Sequence, residues 1–159
     1  MKRIFICIIL TLFTVNLNAQ FRKPSVVVAN FQIAGEIDTA LAKMINVYIL
    51  NYFIETGKYR VVERLQLAKL LKEMRLSNSD LADASNALKI GKLLSAYGIV
   101  IGSVVRFKDK IIITARLVET QTASIVRVAK ENIDSNSTSD TVLERVCKSL
   151  VFKLSNLSS

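Results

Sequence analysis

Residues 99–119 read IVIGSVVRFKDKIIITARLVE and decide the fold: two apolar segments are joined by a short charged turn at 108–110. The segment after the turn alternates in polarity, which predicts a strand with one buried face. One face carries Ile111, Ile113, Ala115 and Leu117, and the other carries Ile112, Thr114 and Arg116. Gly102 is expected to break the first strand. The tight turn predicts an antiparallel hairpin, which residues 124–133 extend as an edge strand with a charged outer face.

The segments before the hairpin predict a strand followed by a long helix. Residues 25–31, SVVVANF, form an apolar run after Pro24, which suits a buried strand. Asp38 is the expected N-cap of the helix, and Gly57 is its expected left-handed end. The apolar stripe of this helix is interpreted as a core-facing surface and not as a ligand groove. The stripe comprises Ile37, Leu41, Met44, Ile45, Tyr48, Ile49, Tyr52 and Phe53.

A short strand and two further helices are predicted between the first helix and the hairpin. The strand covers residues 59–63, the second helix covers residues 64–74, and a polar break at 77–80 follows. Asp83 is the expected N-cap of the third helix. The packed face of that helix is predicted to carry Ala84, Ala87, Leu88, Gly91 and Leu94. Gly91 lies within this helix, where glycine costs roughly 1 kcal/mol of stability relative to alanine. Close packing of the helix on the sheet would explain why a glycine is present.

Asp140 is the expected cap of a last helix, whose apolar residues recur at helical spacing. The element order is therefore βαβααβββα. This order predicts an α/β fold, α+β-like in its mixed sheet, with helices packed on at least one sheet face. Residues 20–159 make up about 140 residues, which is enough for a single domain with its own core.

The first residues have the organisation of a signal peptide. Lys2 and Arg3 precede an apolar run at 4–15 that is too short to span a bilayer as a helix. Ala19 suits the last position before a cleavage site, so residues 1–19 are predicted to be removed. Gln20 stands where a lipoprotein needs a cysteine. We therefore expect an unlipidated protein in the periplasm, and attachment to the inner face of the outer membrane stays open.

Composition excludes several classes of function. The formal charge is +9 and falls by two, to +7, when Lys2 and Arg3 are removed; the basic residues are scattered, which argues against nucleic-acid binding. The chain contains no histidine and no CxxC pair, so the usual nucleophile–base pairs and zinc sites are missing. The five glycines form no nucleotide-binding loop. We expect neither an enzyme nor a cofactor or metal site.

Ionisable residues offer weak candidates for a catalytic site. The carboxylates close to one another in the chain are Glu63, Glu73, Asp80 and Asp83. All but Glu63 fall at caps, loops or an exposed helix face, where carboxylates are common. Glu63 and Arg64 invite a functional interpretation as a charge pair, but we interpret Arg64 as a bridge between strand and helix, and Arg116 likewise as structural. Cys147 is expected to be a small buried residue of the last helix.

Five short motifs in a fixed order carry a resemblance to a known family. They are VVVANF at 26–31, GKYRVVER at 57–64, ALKIGKLL at 87–94, IVIGSV at 99–104 and ARLVET at 115–120. By their order and spacing, residues 25–126 resemble the periplasmic domain of the curli production assembly/transport (CsgG-like) family, which is related to the penicillin-binding-protein activator lipoproteins. The channel-forming members add amphipathic hairpins for which this chain has no spare segments, so we expect no pore from this chain alone.

The resemblance implies a non-catalytic binding or assembly factor of the cell envelope, related to the curli secretion-channel component. The alternative is a regulator that activates a peptidoglycan synthase, and a small hydrolase is the weakest of the three hypotheses. An envelope protein is the expected partner, a homo-oligomer stays open, and no nucleic acid is expected. The sequence does not assign the partner-binding residues.

Overall fold

The computed structural model describes residues 22–156. The predicted signal peptide, residues 1–19, lies outside the described residues, so the boundary at Gln20 stays a prediction. The described strands are β1 (Ser25–Val28), β2 (Gln32–Ala34), β3 (Arg60–Val61), β4 (Gly98–Phe107), β5 (Lys110–Glu119) and β6 (Ile125–Asp134). The described helices are α1 (Thr39–Glu55), α2 (Arg64–Glu73), α3 (Ala84–Leu93) and α4 (Asp140–Ser155), with short 3₁₀ turns at Ser79–Ala82 and Ser135–Ser137. The predicted mixed α/β order is confirmed, apart from a split of the first strand.

The strands of the described range form one mixed sheet in the order β3-β1-β4-β5-β6, and β2 pairs with β4 beyond the end of β1. Pairs involving β1, β2 and β3 are parallel, whereas β4, β5 and β6 are antiparallel. The hairpin pairs Gly98 with Glu119 at one end and Phe107 with Lys110 at the other. Lys108 in its turn has a φ of 56°, the left-handed backbone that two-residue hairpin turns require. The hairpin and the edge position of β6 are as predicted.

The first predicted strand is interrupted, whereas the strand that contains Gly102 is continuous. β1 ends at Val28, so the strand predicted over residues 25–31 is too long, and the chain rejoins the sheet as β2. At the break the Phe31 amide donates to the Asn46 Oδ1 atom at 2.8 Å, which replaces a sheet partner. Gly102 makes room for the Phe31 ring, since a Cβ there would lie 2.4 Å from the ring atom Cε2. The glycine therefore serves packing and does not break β4.

Side-chain caps fix where two of the helices begin. Asp38 accepts two backbone amides of α1, at 2.5 Å and 3.3 Å, and Asp83 accepts two of α3, at 2.8 Å and 3.2 Å, as predicted. Gly57 follows α1 with a φ of 61°, the left-handed conformation expected there. Asp140 is not a cap. It is the first residue of α4, and its carboxylate accepts a hydrogen bond from the Tyr48 hydroxyl of α1.

Helices cover both faces of the sheet, each over a separate core. α1 and α4 pack on one face, and the predicted α1 stripe faces this larger core, except for Met44, which is exposed. α2, α3 and the turn Ser79–Ala82 pack on the other face. The predicted packed face of α3 is confirmed except at Ala84, the first residue of the helix, which is exposed, and the face also includes the buried Ile90.

The two faces are not covered equally. The smaller core lies mainly on β1 and the first half of β4, so much of the same face of β5 and β6 carries no helix. The half-buried or exposed side chains on that face of β4, β5 and β6 include Val105, Ile112, Thr114, Arg116, Val128 and Lys130. We call this region the open half of the sheet. Because β6 is a sheet edge, the open half extends to a strand that has no neighbour on its outer side within residues 22–156.

Candidate partner-binding surface

A polar groove lies on the open half of the sheet, beside the turn Ser79–Ala82. Two adjoining cavities of about 230 Å³ and about 610 Å³ form it. We call the two cavities together the polar groove. The polar residues that line it include Asn30, Gln32, Asn78, Ser103, Thr114 and Arg116. They come from the junction of β1 and β2, the loop before the 3₁₀ turn, β4 and β5. The groove therefore exists only once the sheet has formed.

Strand register places the polar side chains in one row across the sheet. Gln32 on β2 pairs with Ser103 on β4, Ser103 pairs with Thr114 on β5, and Thr114 pairs with Lys130 on β6. Paired residues in a sheet point to the same face, so the four side chains form a continuous polar line. Arg116 lies two residues along β5 and therefore also on this face. The row ends at the sheet edge, next to solvent.

Two side chains of the groove hold the 3₁₀ turn against the sheet. The Arg116 Nη2 atom donates to the Ala82 carbonyl at 3.0 Å, and the Gln32 Nε2 atom donates to the Ser79 carbonyl at 2.8 Å. Inside the turn, the Asp80 carboxylate accepts from the Ser77 amide and hydroxyl, both at 2.7 Å. Bonds of this kind fix the wall of the groove before any partner arrives.

The polar lining of the groove is mostly uncharged. Its lining offers amide and hydroxyl groups, which both donate and accept hydrogen bonds, and one guanidinium group. None of the described lining residues is a carboxylate. The nearby Asp80 is engaged: the amide and hydroxyl of Ser77 lower the pKa of its carboxyl, which favours the ionised acceptor over a proton donor. The groove can bind a polar surface through hydrogen bonds, but it brings together no nucleophile and base.

The Glu63–Arg64 candidate does not form a charge pair. β3 ends at Val61, short of the predicted residue 63, and Glu63 is an exposed N-cap of α2 whose side chain makes no cap bond. Arg64 donates to the Asn46 carbonyl at 2.9 Å, and burial lowers the pKa of its guanidinium. The predicted structural role holds, but Arg64 bridges α2 to α1 instead of joining a strand to a helix.

The remaining sequence candidates also have structural roles. Arg116 ties β5 to the 3₁₀ turn, as its structural interpretation predicted, and it also lines the groove. Asp80 and Asp83 serve the turn and the α3 cap, and Glu73 is exposed at the end of α2. Cys147 is buried in α4, as predicted, and burial raises the pKa of its thiol to about 12, which keeps it unreactive at neutral pH. Within residues 22–156 no group of three or more cysteine, aspartate or glutamate side chains is arranged so that it could hold a metal ion.

Sequence reasoning missed the groove because its residues are far apart in the chain. Asn30 and Gln32 flank the strand break, which the predicted strand over 25–31 conceals. Thr114 and Arg116 were visible as polar residues on one face of a strand, and this was the available signal. What the sequence does not show is that no helix covers this part of the sheet.

The structure is therefore an α/β domain with a polar groove on an incompletely covered part of its sheet. The chain belongs to the family described as "Curli production assembly/transport component CsgG", whose sequence profile matches residues 13–112, well over half of the chain. This membership supports an envelope-associated accessory protein. A search of curated proteins gives no match.

Solved structures share the fold at low sequence identity. The lipoprotein GNA1162 from Neisseria meningitidis superposes with a TM-score of 0.63 and 14% identity, over 86% of this chain and 99% of that one. The LpoB C-terminal domain from Escherichia coli gives 0.60 and 19%, over 79% and 93%. The PelC dodecamer from Paraburkholderia phytofirmans gives 0.54 and 13%, over 86% and 90%. At such identities the likeness establishes the fold alone.

None of the helices in residues 22–156 is both long and apolar enough to cross a membrane.

Proposed function

We propose that this protein is a non-catalytic binding or assembly factor of the cell envelope, related to the curli assembly and transport component. The family match over residues 13–112 carries the proposal. The polar groove supports it, because its side chains suit hydrogen bonding to a partner and provide no catalytic pair. The partner is an envelope protein that docks on the open half of the sheet.

The proposal includes export by a signal peptide. Residues 1–19 are removed, and residues 20–159 form the periplasmic domain. Lys2 and Arg3 before an apolar run, with Ala19 at the cleavage position, support this division. The intact mass of the exported protein tests it: the expected mass begins at Gln20 and carries no acyl group. A mass that includes residues 2–19, or added acyl chains, would contradict it.

A matched pair of charge substitutions tests the docking surface. Asn78 is exposed on the wall of the groove, and Asn51 is exposed on α1, on the other side of the sheet. We expect Asn78→Arg to reduce recovery of the partner from envelope extract, because a long cation would obstruct the groove. Asn51→Arg adds the same charge and should leave recovery unchanged. Equal recovery by both variants, each verified as folded by circular dichroism, would move the docking surface elsewhere.

The identity of the recovered partner separates the two candidate functions. Secretion-channel or fibre subunits support a curli-type assembly role. A peptidoglycan synthase supports the second candidate, a synthase regulator, which rests on the sequence resemblance to the activator lipoproteins and on the fold shared with LpoB domains. Recovery of neither class contradicts both.

Self-association is part of the same proposal. The PelC relative is a dodecamer, and β6 leaves an exposed sheet edge here. The mass of the purified protein by light scattering tests this directly. A monomer at all concentrations up to the millimolar range would leave the envelope partner as the only interaction of the proposal.

A further inference from the structure

A second, separate cavity lies where β4 begins and β5 ends, away from the polar groove. Its volume is about 490 Å³, which falls within the range of small-molecule sites, roughly 300–1,000 Å³. Residues from the start of the described chain, the loop after α1, the end of α4 and the start of β6 surround it. We call it the basic cup, for the three cationic residues Lys23, Lys58 and Arg127 among its lining.

The floor of the cup is apolar. Leu117 of β5 and Leu154 of α4 form part of it, and each is 1% exposed. Val126 and the Tyr59 ring pack against the larger core beside them and complete the apolar surface. Burial raises the pKa of the Tyr59 hydroxyl, the neighbouring Tyr97 raises it further, and Arg127 opposes this shift. The hydroxyl therefore stays protonated near neutral pH and can donate a hydrogen bond.

Lys58 and Arg127 donate to backbone carbonyls, and within residues 22–156 none of the three cations forms an ion pair with a carboxylate. The Lys58 ammonium donates to the Ser155 carbonyl at 3.2 Å and to the Asn156 side chain. Arg127 donates to the Asn156 carbonyl at 3.4 Å and to its neighbour's carbonyl, and the Lys23 Nζ atom lies over Gly57, 3.7 Å from where a Cβ would be. The one ion pair in residues 22–156 is elsewhere, between Lys153 and Glu131 at 2.7 Å.

Capping of α4 explains only part of this charge. Lys58 and Arg127 reach the last carbonyls of α4, where the helix dipole carries about half a negative charge. Three positive charges exceed that amount several-fold, and Lys23 is not bonded to the helix end. None of the described residues that line the cup is a carboxylate that could balance the remainder. An excess of positive charge above an apolar floor is complementary to an anion that carries an apolar body.

We propose that the basic cup binds a small amphipathic anion: a single-chain amphiphile whose carboxylate or phosphate group meets Lys58 and Arg127, while its apolar chain lies against the half-buried side chains of Tyr59 and Val126. The anion replaces weak carbonyl contacts of these cations with charge-assisted hydrogen bonds. The chain covers apolar surface that now faces the cavity. The occupant is a free amphiphile, because the cavity has the size of a small molecule and not of an extended docking surface.

Three probes of matched chemistry test the two halves of the proposal. Octanoate carries both the anion and the chain, octanol carries only the chain, and acetate carries only the anion. With the purified exported protein, we expect octanoate alone to bind saturably, with amide chemical shifts concentrated at Tyr59, Tyr97 and Arg127. Equal binding of octanol would remove the role of the cations. Equal binding of acetate would remove the role of the floor, and no saturation with octanoate would remove the site.

Charge variants locate the site. Arg127→Gln should weaken octanoate binding about ten-fold or more, as expected when a charge-assisted hydrogen bond is lost. Lys130→Gln removes a charge from the same strand outside the cup and should change binding less than two-fold, roughly the effect of altered net charge. Lys23→Gln, at an exposed position, keeps the test valid if Arg127→Gln destabilises the fold, and it should also weaken binding. Equal affinity of the Lys23 and Lys130 variants would overturn the assignment.

Vesicles separate the free amphiphile from a membrane lipid. The protein is mixed with vesicles of phosphatidylcholine containing a fifth of phosphatidylglycerol. We expect octanoate to bind in the cup when vesicles are present. We expect no vesicle binding that depends on Arg127. Binding to these vesicles that Arg127→Gln abolishes, together with no octanoate binding, would replace the small-molecule site with a membrane contact.

Discussion

The two faces of the sheet are covered by helices of different length. α1 has 17 residues and α4 has 16, whereas α2 and α3 have 10 each. At 1.5 Å per residue, the first pair is about 25 Å long and the second about 15 Å long. The long pair seals its face: Ile111, Ile113, Ala115 and Leu117 of β5 are each at most 2% exposed. The short pair leaves Val128 of β6 62% exposed.

This difference separates stability from recognition. The sealed face holds the larger core, in which apolar burial is nearly complete, so it should dominate the free energy of unfolding. The open half has few apolar contacts to lose, and it carries the polar row from Gln32 to Lys130. Substitutions on the open half should therefore change binding with little cost to the fold, and substitutions on the sealed face should do the reverse.

The largest effect is expected from Phe53→Ala. Phe53 is fully buried in the sealed face, and truncation of a buried phenylalanine costs about 3–5 kcal/mol through lost burial and the cavity left behind. Val128→Ala, on the open half, should stay within about 0.5 kcal/mol. Urea unfolding measures both. Similar midpoints for the two variants would show that the faces do not differ in their contribution to stability.

A smaller but specific effect is expected where α3 packs against Thr120, at the end of β5. A Cβ on Gly91 would lie 2.2 Å from the Thr120 Cγ2 atom, so Gly91→Leu must displace the helix or the strand end, at about 1–3 kcal/mol. Lys92→Leu places the same side chain on the next, exposed position and should have little effect. Equal denaturation midpoints would mean that α3 packs through another face.

The sequence predicted the elements well because local signals specify them. The Asp38 and Asp83 caps, the left-handed Gly57 and the alternation after the hairpin turn each depend on nearby residues. The errors occurred where a distant contact decides. Phe31 leaves the strand because Asn46 takes its amide and Gly102 accepts its ring, and neither contact is visible in a local window.

The candidate site was less predictable for the same reason. The polarity of Thr114 and Arg116 could be read from the sequence, but the absence of a covering helix depends on strand order. β1 lies next to β4 and not at the far edge, so α2 and α3 stay over that side of the sheet. Which strands would stay open therefore required the topology.

Loss of the Arg116 contact should loosen one wall of the open half without unfolding the domain. Arg116→Met keeps much of the apolar stem but removes the hydrogen bond to Ala82, worth about 1 kcal/mol at a half-buried site. Amide exchange at Leu81 and Asp83 in the turn should therefore accelerate about five- to ten-fold, whereas α1 amides should not change. Arg106→Met, which removes a similar but longer bond of 3.4 Å to the Glu36 carbonyl, is the control. Uniform acceleration across the chain would indicate global destabilisation instead.

The smallest effect is a change in how the sealed face responds to alkali. The Tyr52 hydroxyl of α1 donates to Glu144 of α4 at 2.9 Å, and burial together with this bond raises the pKa of Tyr52 to about 12. The unfolded value is about 10, so the folded protein holds this proton more tightly. The stabilisation that comes from this tightly held proton is fully present below about pH 10 and is lost as pH rises from about 10 to about 12. Tyr52→Phe should lose less than about 1 kcal/mol at neutral pH and show a shallower decline across that window. Parallel stability curves of the two proteins from pH 9 to 12 would show that the bond between α1 and α4 does not contribute to closing this face.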